Sequence, residues 1–334
     1  MTSKSILLIV WSLCAIISLP AQTPETLPRP VSIKPIPGVI ADAKWQQVWQ
    51  GADNADGLAG TSDGGVLFAQ EQPGIIRKLD RNDKDSVYVK DTHGAGSVAI
   101  DSRGRVLAVQ RTCTDPNPAR LAANGPCSEP TKIAVIYPEK ERKILADNFE
   151  GKPLGRLNDL VVDKKGAVYF TVGGAYYVRA GGPVVSLGDN IRSNGIMLSP
   201  DERTLYVTNG GSILAFDVHA DGAVTNRRDF AKLEGNGGGD GMAIDAAGRL
   251  YVTAQAGGVQ VFSPEGTHLG TIPTPRNVIS AAFSGPDKKT LYIVGGGALG
   301  PDGKEFVTPQ GFRNNAKTIY KISMLAQGYK GRAK

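Results

Sequence analysis

Residues 240–253 read DGMAIDAAGRLYVT. A polar residue and a glycine come first, a short apolar segment follows, and an Asp-containing turn leads to a second apolar segment rich in Tyr and Val. Short apolar segments separated by turn residues are typical of paired β-strands. This stretch is therefore predicted to form a β-hairpin, and the fold depends on how often the pattern recurs.

Five further copies of the pattern occur along the chain. They begin at Asp56, Ser97, Asn158, Asn194 and Ser280. Their second apolar segments begin at Val66, Val106, Val168, Leu205 and Leu291. A third apolar segment, such as residues 74–79 or 212–216, follows and would supply the outer part of each sheet.

The spacing of the copies is typical of propeller blades. Their starts lie about 36 to 46 residues apart, except for a gap of about 61 between the second and third copies. A β-sandwich does not explain six repeats of one unit, because such a unit buries its faces by stacking on its neighbours. We therefore predict an all-β fold, a six-bladed β-propeller over residues 41–334 with an insertion at about 111–130.

The first residues read as an export signal. Lys4 precedes an apolar run from Ile6 to Leu19, which is short for a membrane span, and Pro20-Ala21-Gln22 is a plausible processing point. Residues 1–21 are therefore predicted to be a signal peptide, with an uncleaved anchor as the alternative. Residues 22–40 contain five prolines and are predicted to be an extended lead-in. A secreted or periplasmic protein that leaves the membrane after processing is expected.

The charge of the chain bears on nucleic-acid binding, and its cysteine content bears on disulfide formation. The net charge of +6 falls to +5 without Lys4, and the basic residues are scattered, so nucleic-acid binding is not expected. One of the three cysteines lies in the signal, which leaves Cys113 and Cys127. In an exported protein two cysteines suggest one disulfide, here closing the insertion, although two free thiols remain the alternative.

The first residues of the repeats point to a metal site. Inner strands of a propeller begin at one mouth of its channel, so equivalent residues converge there. In chain order these positions are Asp56, Ser97, Asn158, Asn194, Asp240 and approximately Asn277. A ring of oxygen-bearing side chains suits a hard cation. Asn and Asp before Gly also make turns at strand entries, which is the structural alternative for each residue alone.

Three segments resemble the senescence-marker-protein/gluconolactonase family. They are RLND at 156–159, SNGI with SPDE at 193–202, and DGM with AID at 240–245, and they lie in three consecutive repeats. The resemblance implies that Asn194 and Asp240 are metal ligands and that Arg156 and Asn158 face the substrate, with Asn158 also near the metal. The remaining ligand of the family is a Glu. Asp56, one methylene shorter, is the best match, binding directly but weakly or through a water.

The resemblance implies an exported, metal-dependent hydrolase of a sugar lactone or a similar small cyclic ester. A divalent ion held by oxygen ligands polarises an ester carbonyl and activates water. Asp240 would help to remove a proton from that water, and Arg156 would orient the substrate. Ca²⁺ is the expected ion, with Mg²⁺, Mn²⁺ or Zn²⁺ as alternatives.

His93 lies four residues before Ser97 in a glycine-flanked loop and is a further candidate for substrate binding or general base catalysis. A loop histidine without such a role is the ordinary reading. A monomer is expected. The alternative to an enzyme is a non-catalytic propeller with a structural ion that binds a carbohydrate or a protein, and Asp56 in place of Glu favours this alternative.

Overall fold

The structure is a computed structural model that describes residues 28–111, 130–255, 257–304, 317–332 and 334. The predicted signal peptide, Cys113 and Cys127 lie outside the described residues, so the signal and the disulfide stay predictions. In chain order the strands are β1 (Gln46–Gly51), β2 (Leu58–Gly60), β3 (Val66–Gln70), β4 (Ile75–Leu79), β5 (Asp85–Val89), β6 (Ala95–Ile100), β7 (Val106–Gln110), β8 (Lys132–Tyr137), β9 (Lys143–Ala146), β10 (Asn148–Phe149), β11 (Lys152–Pro153), β12 (Leu160–Val162), β13 (Val168–Val172), β14 (Gly174–Val178), β15 (Val184–Ser186), β16 (Ile196–Leu198), β17 (Thr204–Asn209), β18 (Ser212–Val218), β19 (Val224–Lys232), β20 (Met242–Ile244), β21 (Leu250–Thr253), β22 (Val259–Phe262), β23 (His268–Ile272), β24 (Val278–Ser284), β25 (Thr290–Gly296) and β26 (Lys317–Ser323).

Twenty-four of these strands form six four-stranded antiparallel sheets, which are the blades of the propeller, and β10 pairs with β11 in a separate two-stranded sheet. Blades 1 to 5 are built from consecutive strands: β2 to β5, β6 to β9, β12 to β15, β16 to β19 and β20 to β23. Blade 6 has the order β24-β25-β26-β1, so a strand from the beginning of the domain completes the last sheet. The predicted six-bladed β-propeller is confirmed, and each predicted apolar pair is the inner hairpin of one blade.

Aspartates after the inner strands make the turns of these hairpins. The Oδ1 atom of Asp101 accepts from the amides of Arg103 and Arg105, both at 2.9 Å. The Oδ1 atoms of Asp163 and Asp245 likewise accept hydrogen bonds from the backbone amides two and four residues later in the chain. The turn also needs a left-handed residue, which Gly104 supplies with φ of 79°. The Asp-x-x-Gly spacing in the sequence is therefore a turn signal.

The hydrophobic core is divided into clusters that lie between neighbouring blades. Blades 1 and 2, for example, share a cluster that includes Leu67 and Val98, and blades 1 and 6 share one that includes Phe68 and Val294. The inner strands are buried on both sides, whereas β19 at the rim is largely exposed. Full burial of one apolar side chain of an inner strand stabilises the folded state by about 1.5–3 kcal/mol. Each blade is thus stabilised by its two neighbours.

The lead-in packs onto the propeller instead of remaining apart from it. Ile33, Ile36, Val39 and Ile40 are buried in the cluster between blades 5 and 6. The only helical segment among the described residues is a short 3-10 turn at Glu139–Glu141. Nowhere in the described residues does a helix reach the length and apolarity needed to cross a membrane.

The interface of blades 1 and 6 yields a test of the fold. Gly60 ends β2, and a Cβ there would overlap the carbonyl oxygen of Phe283 and lie 3.1 Å from the Cβ of Ser284. We expect Gly60→Ala to lower the free energy of unfolding by about 2 kcal/mol, because backbone would have to move. Gly182→Ala is the matched control, since its nearest neighbour is at 3.5 Å. Equal urea midpoints for the two variants would contradict this packing.

Candidate active site at the upper mouth of the channel

The predicted ligands lie at one level of the channel. The backbone amides of Asp56, Asn158 and Asp240 each donate to a carbonyl near the end of the second strand in the same blade. The acceptors are Ala69, Thr171 and Thr253, at 2.8–3.0 Å. The amide of Asn194 donates instead to the hydroxyl of Thr208 at 3.0 Å. Each of the four residues lies two positions before an inner strand. They therefore surround the end of the channel at which the inner strands begin, which we call the upper mouth.

Asp56 forms an ion pair that sequence reasoning did not anticipate. Arg111 donates from Nη2 to Oδ2 of Asp56, from Nε to Glu71 at 2.9 Å, and from Nη1 towards Oδ1 of Asn158 at 3.5 Å. A Cβ on Gly96 would overlap this guanidinium, so glycine leaves the space for it. Burial opposes the charge of Arg111, but the two carboxylates outweigh it and raise its pKa. Arg111 therefore ties blade 2 to blades 1 and 3 at the upper mouth.

Arg156 is held at the same mouth by Glu71. Its Nη1 and Nη2 atoms donate to the two oxygens of Glu71, both at 2.8 Å. The side chain of Glu71 is 2% exposed and that of Arg156 is 34% exposed. The carboxylate therefore orients the guanidinium, while part of the Arg156 side chain remains exposed.

Asp240 is the carboxylate with the most perturbed environment. Its pKa is raised well above the usual range because burial removes solvent, and because Asp56 and Asp159 lie nearby. Gly195 brings blades 4 and 5 together here, since a Cβ on it would overlap the carbonyl oxygen of Asp240. Asn194, one residue earlier, is half-buried beside it. A half-buried carboxylate at the mouth of the channel is placed to accept a proton from a bound water.

These residues fit a divalent cation. Among the described residues, no three His, Cys, Asp or Glu side chains form a metal-binding group by themselves, so the amides of Asn158 and Asn194 are needed as ligands. Carboxylate and amide oxygens are the donors that hard cations prefer. A cation would also relieve the repulsion that raises the pKa of Asp240. Asp56 fits less well, because it shares its carboxylate with Arg111.

Two further predicted positions differ in their surroundings. His93 is exposed in the loop before β6, and its role in substrate binding or general base catalysis stays a prediction. Ser97 is buried in the channel wall, where its hydroxyl donates to Asp159 at 2.7 Å. Ser97 therefore serves the contact between blades 2 and 3.

The sequence does carry a signal for the residues that were missed. Glu71 follows the last residue of β3 and Arg111 follows the last residue of β7, so both occupy the same phase of their blades. Lys317 begins β26, and burial lowers its pKa while Asp56 and Asp240 oppose that shift. Charged residues at the ends of second strands face the same mouth as the starts of inner strands.

Comparisons of sequence identify related proteins. A sequence profile described as the SMP-30/Gluconolactonase/LRE-like region matches residues 127–296. A gluconolactonase of Zymomonas mobilis is 32% identical over 292 residues, which cover 78% of each chain. A pentonolactonase of Haloferax volcanii is 29% identical over 187 residues, covering 52% of this chain and 64% of its own length.

Solved structures show the same fold. A gluconolactonase from Xanthomonas campestris superposes with a TM-score of 0.69 at 21% identity, covering 91% of this chain and 99% of its own. A calcium-binding regucalcin from Agrobacterium tumefaciens gives a TM-score of 0.60 at 18% identity, covering 84% and 97%. At these sequence identities the structural similarity supports only the propeller fold. With the profile match and the Zymomonas relative, they show that this chain belongs to the SMP-30/gluconolactonase family.

Proposed function

We propose that this protein hydrolyses a sugar lactone or a similar small cyclic ester. The observation that carries the proposal is that one mouth of the channel holds both a guanidinium on Arg156, oriented by Glu71, and the carboxylate of Asp240. The names of the gluconolactonase and pentonolactonase relatives support the substrate class. An ester hydrolase needs a group that orients the substrate and a base that takes a proton from water.

In the proposed mechanism each residue has one task. Arg156 donates hydrogen bonds to hydroxyl or carbonyl oxygens of the lactone, in the orientation that Glu71 imposes. Asp240 accepts a proton from the attacking water as the water oxygen bonds to the carbonyl carbon. That proton then passes to the ring oxygen as the bond between the carbonyl carbon and the ring oxygen breaks. The product is the open hydroxy acid. Asn158, whose Oδ1 lies 3.5 Å from Nη1 of Arg111 at the same mouth, would help to position the substrate.

A divalent cation held by Asn194, Asp240, Asn158 and Asp56 would supply Lewis-acid polarisation of the ester carbonyl. Calcium is proposed because the donors are oxygens, and a calcium-binding family member supports it. We further propose that the enzyme is exported, on the evidence of residues 1–21, and that it works as a monomer on a small molecule.

The test is turnover of a panel of aldonolactones and aliphatic lactones by the purified protein, before and after treatment with a chelator. We expect hydrolysis that is lost with the metal and restored by adding Ca²⁺. Undiminished hydrolysis after complete metal removal would refute the metal-dependent mechanism. Metal binding without hydrolysis of any lactone would favour the binding protein, for which the engagement of Asp56 by Arg111 is the supporting observation.

Asp240→Asn is expected to reduce kcat for the best lactone at least about 100-fold, because the variant lacks the base. Metal content measured by mass spectrometry should fall as well, since a charged ligand becomes neutral. Asp221→Asn is the control, because Asp221 lies in an exposed outer turn. Retention of both metal and activity in Asp240→Asn would place the catalytic centre elsewhere.

Arg156→Ala is expected to lower kcat/KM by about 10- to 100-fold, the effect of losing a charged hydrogen bond to substrate. Glu71 keeps its ion pair with Arg111, so the metal content and the melting temperature should change little. Arg179→Ala, which removes an exposed ion pair with Asp221, serves as the control. A large loss of thermal stability with unchanged kinetics would make Arg156 a structural residue.

Asp56→Glu tests the departure from the family pattern. The extra methylene lets the carboxylate reach further into the mouth while it still contacts Arg111, so we expect Ca²⁺ to bind several-fold more tightly in isothermal titration calorimetry. Asp53→Glu is the control in the same loop. Weaker binding in Asp56→Glu would show that Asp56 is a partner of Arg111 and not a ligand.

A further inference from the structure

Residues after β26 cross the lower mouth of the channel, where the inner strands end. Gly328 forms a β-bridge with Asp245, and the amide of Tyr329 donates to the carbonyl of Ile244 at the end of β20. Further along, Arg332 donates to the carbonyls of Leu198, the last residue of β16, and Ser199. We call residues 328–332 together with Lys334 the plug segment. It passes from blade 5 to blade 4 beneath the channel.

Lys334 then reaches upwards inside the channel. Its ammonium donates to Oδ1 of Asp159 and, at 2.8 Å, to the carbonyl of Leu160. Leu160 is the first residue of β12, so the ammonium has passed the lower mouth and lies near the level of Asn158. Lys334 is 6% exposed. The plug segment therefore occupies the channel and does not merely cover its end.

Asp159 connects the ammonium to the channel wall. Its carboxylate accepts from the Ser97 hydroxyl at 2.7 Å, from the Leu160 amide at 2.9 Å and from the Ile196 amide at 3.1 Å. These donors belong to blades 2, 3 and 4. A buried carboxylate with three neutral donors is further stabilised by a cation, and Lys334 supplies it.

The lower part of the plug segment is anchored by several groups. The ammonium of Lys288 donates to the carbonyls of Tyr329 at 3.1 Å and Arg332 at 2.8 Å. Arg332 also pairs with Glu202 at 3.3 Å and lies 5.5 Å from the ring of Tyr329. A cavity of about 490 Å³ on the lower face has Gly331 and Arg332 in its wall.

We propose that the plug segment seals the lower half of the channel and that Lys334 is a positioning residue, which holds Asp159 and places its ammonium beneath the candidate metal ligands. Substrate then enters and product leaves at the upper mouth. The electrostatic part rests on the proposed function, whereas the sealing does not. Burial lowers the pKa of Lys334, and Asp159, Asp56 and Asp240 oppose that shift, so all three carboxylates are within electrostatic reach of the ammonium.

The seating of Lys334 is tested first by reductive methylation of the native, full-length protein with formaldehyde and a borane. We expect Lys330, which is exposed in the same segment, to be methylated rapidly, and Lys334 to be protected until the protein is denatured. Peptide mass mapping distinguishes the two sites. Equal labelling rates at Lys330 and Lys334 in the native protein would overturn the proposal.

Hydrogen exchange tests the positioning role with Lys334→Met and the matched control Lys330→Met. The amides of Leu160 and Ile196 both donate to Asp159, so peptides that contain them should exchange about tenfold faster in Lys334→Met, an opening free energy lower by about 1.4 kcal/mol. Lys330→Met should match the parent protein. Exchange that is unchanged at both peptides in Lys334→Met would remove the positioning role.

The charge beneath the site is tested by calcium affinity. Removal of a like charge should favour a cation, so Lys334→Met should bind Ca²⁺ on the order of tenfold more tightly than Lys330→Met. Unchanged or weaker affinity would refute the electrostatic part. If the parent protein binds no divalent ion, the metal in the proposed function fails, and the labelling and exchange results alone decide the seal.

Discussion

Hydrogen bonds between neighbouring blades at the starts of the inner strands set the geometry on which the candidate site depends. The amide of Gly57 donates to the carbonyl of Gly96 at 3.1 Å, and that of Gly241 donates to the carbonyl of Ile279 at 2.9 Å. A Cβ at either glycine would collide with the next blade. Apolar clusters between blades supply the bulk of the stability, but they tolerate sliding that these directional bonds do not. The result is that Asp56 and Asp240 face the same space.

The channel wall carries opposite charges in close proximity. Among the residues described, Glu71 is paired with Arg111 and Arg156, and Asp159 is paired with Lys334, whereas Asp240 lies near other carboxylates. Burying an ion pair costs desolvation that its attraction only partly offsets, so hydrophobic side chains would give a more stable wall. This concentration of charges in one channel is the reason that the channel is the candidate site for binding and chemistry.

Much of the fold could be predicted from the repeat, because alternating turns and apolar segments are local properties. The hairpin beginning at Asp240 and its five copies are the inner hairpins of the blades. The partner of β26 could not be predicted, since β1 pairs with it across the whole domain and its sequence, QQVWQG, is not strongly apolar. The lead-in was predicted to be extended from its prolines, and its burial through Ile36 and Ile40 depends on a surface that only the assembled blades create.

The site was predictable to the extent that it follows the phase of the repeat. Asn158, Asn194 and Asp240 were predicted to converge because each lies two residues before an inner strand. The role of Arg111 was not predicted, because its carboxylate partner Asp56 lies 55 positions away in another blade and no local pattern indicates such a pair. The position of Lys334 was not predicted for the same reason, since Lys334 follows the last strand and contacts Asp159 only inside the assembled channel.

The way in which blade 6 is completed also orders the events of folding. β1 is made first and its partner β26 last, so the ring cannot close until nearly the entire domain has been synthesised. Contacts between such distant segments form slowly. In the interval β1 is an unpaired edge, and unpaired edges recruit other strands. Four of its six residues are Gln or Gly, which limits the apolar surface offered to wrong partners while the strand waits.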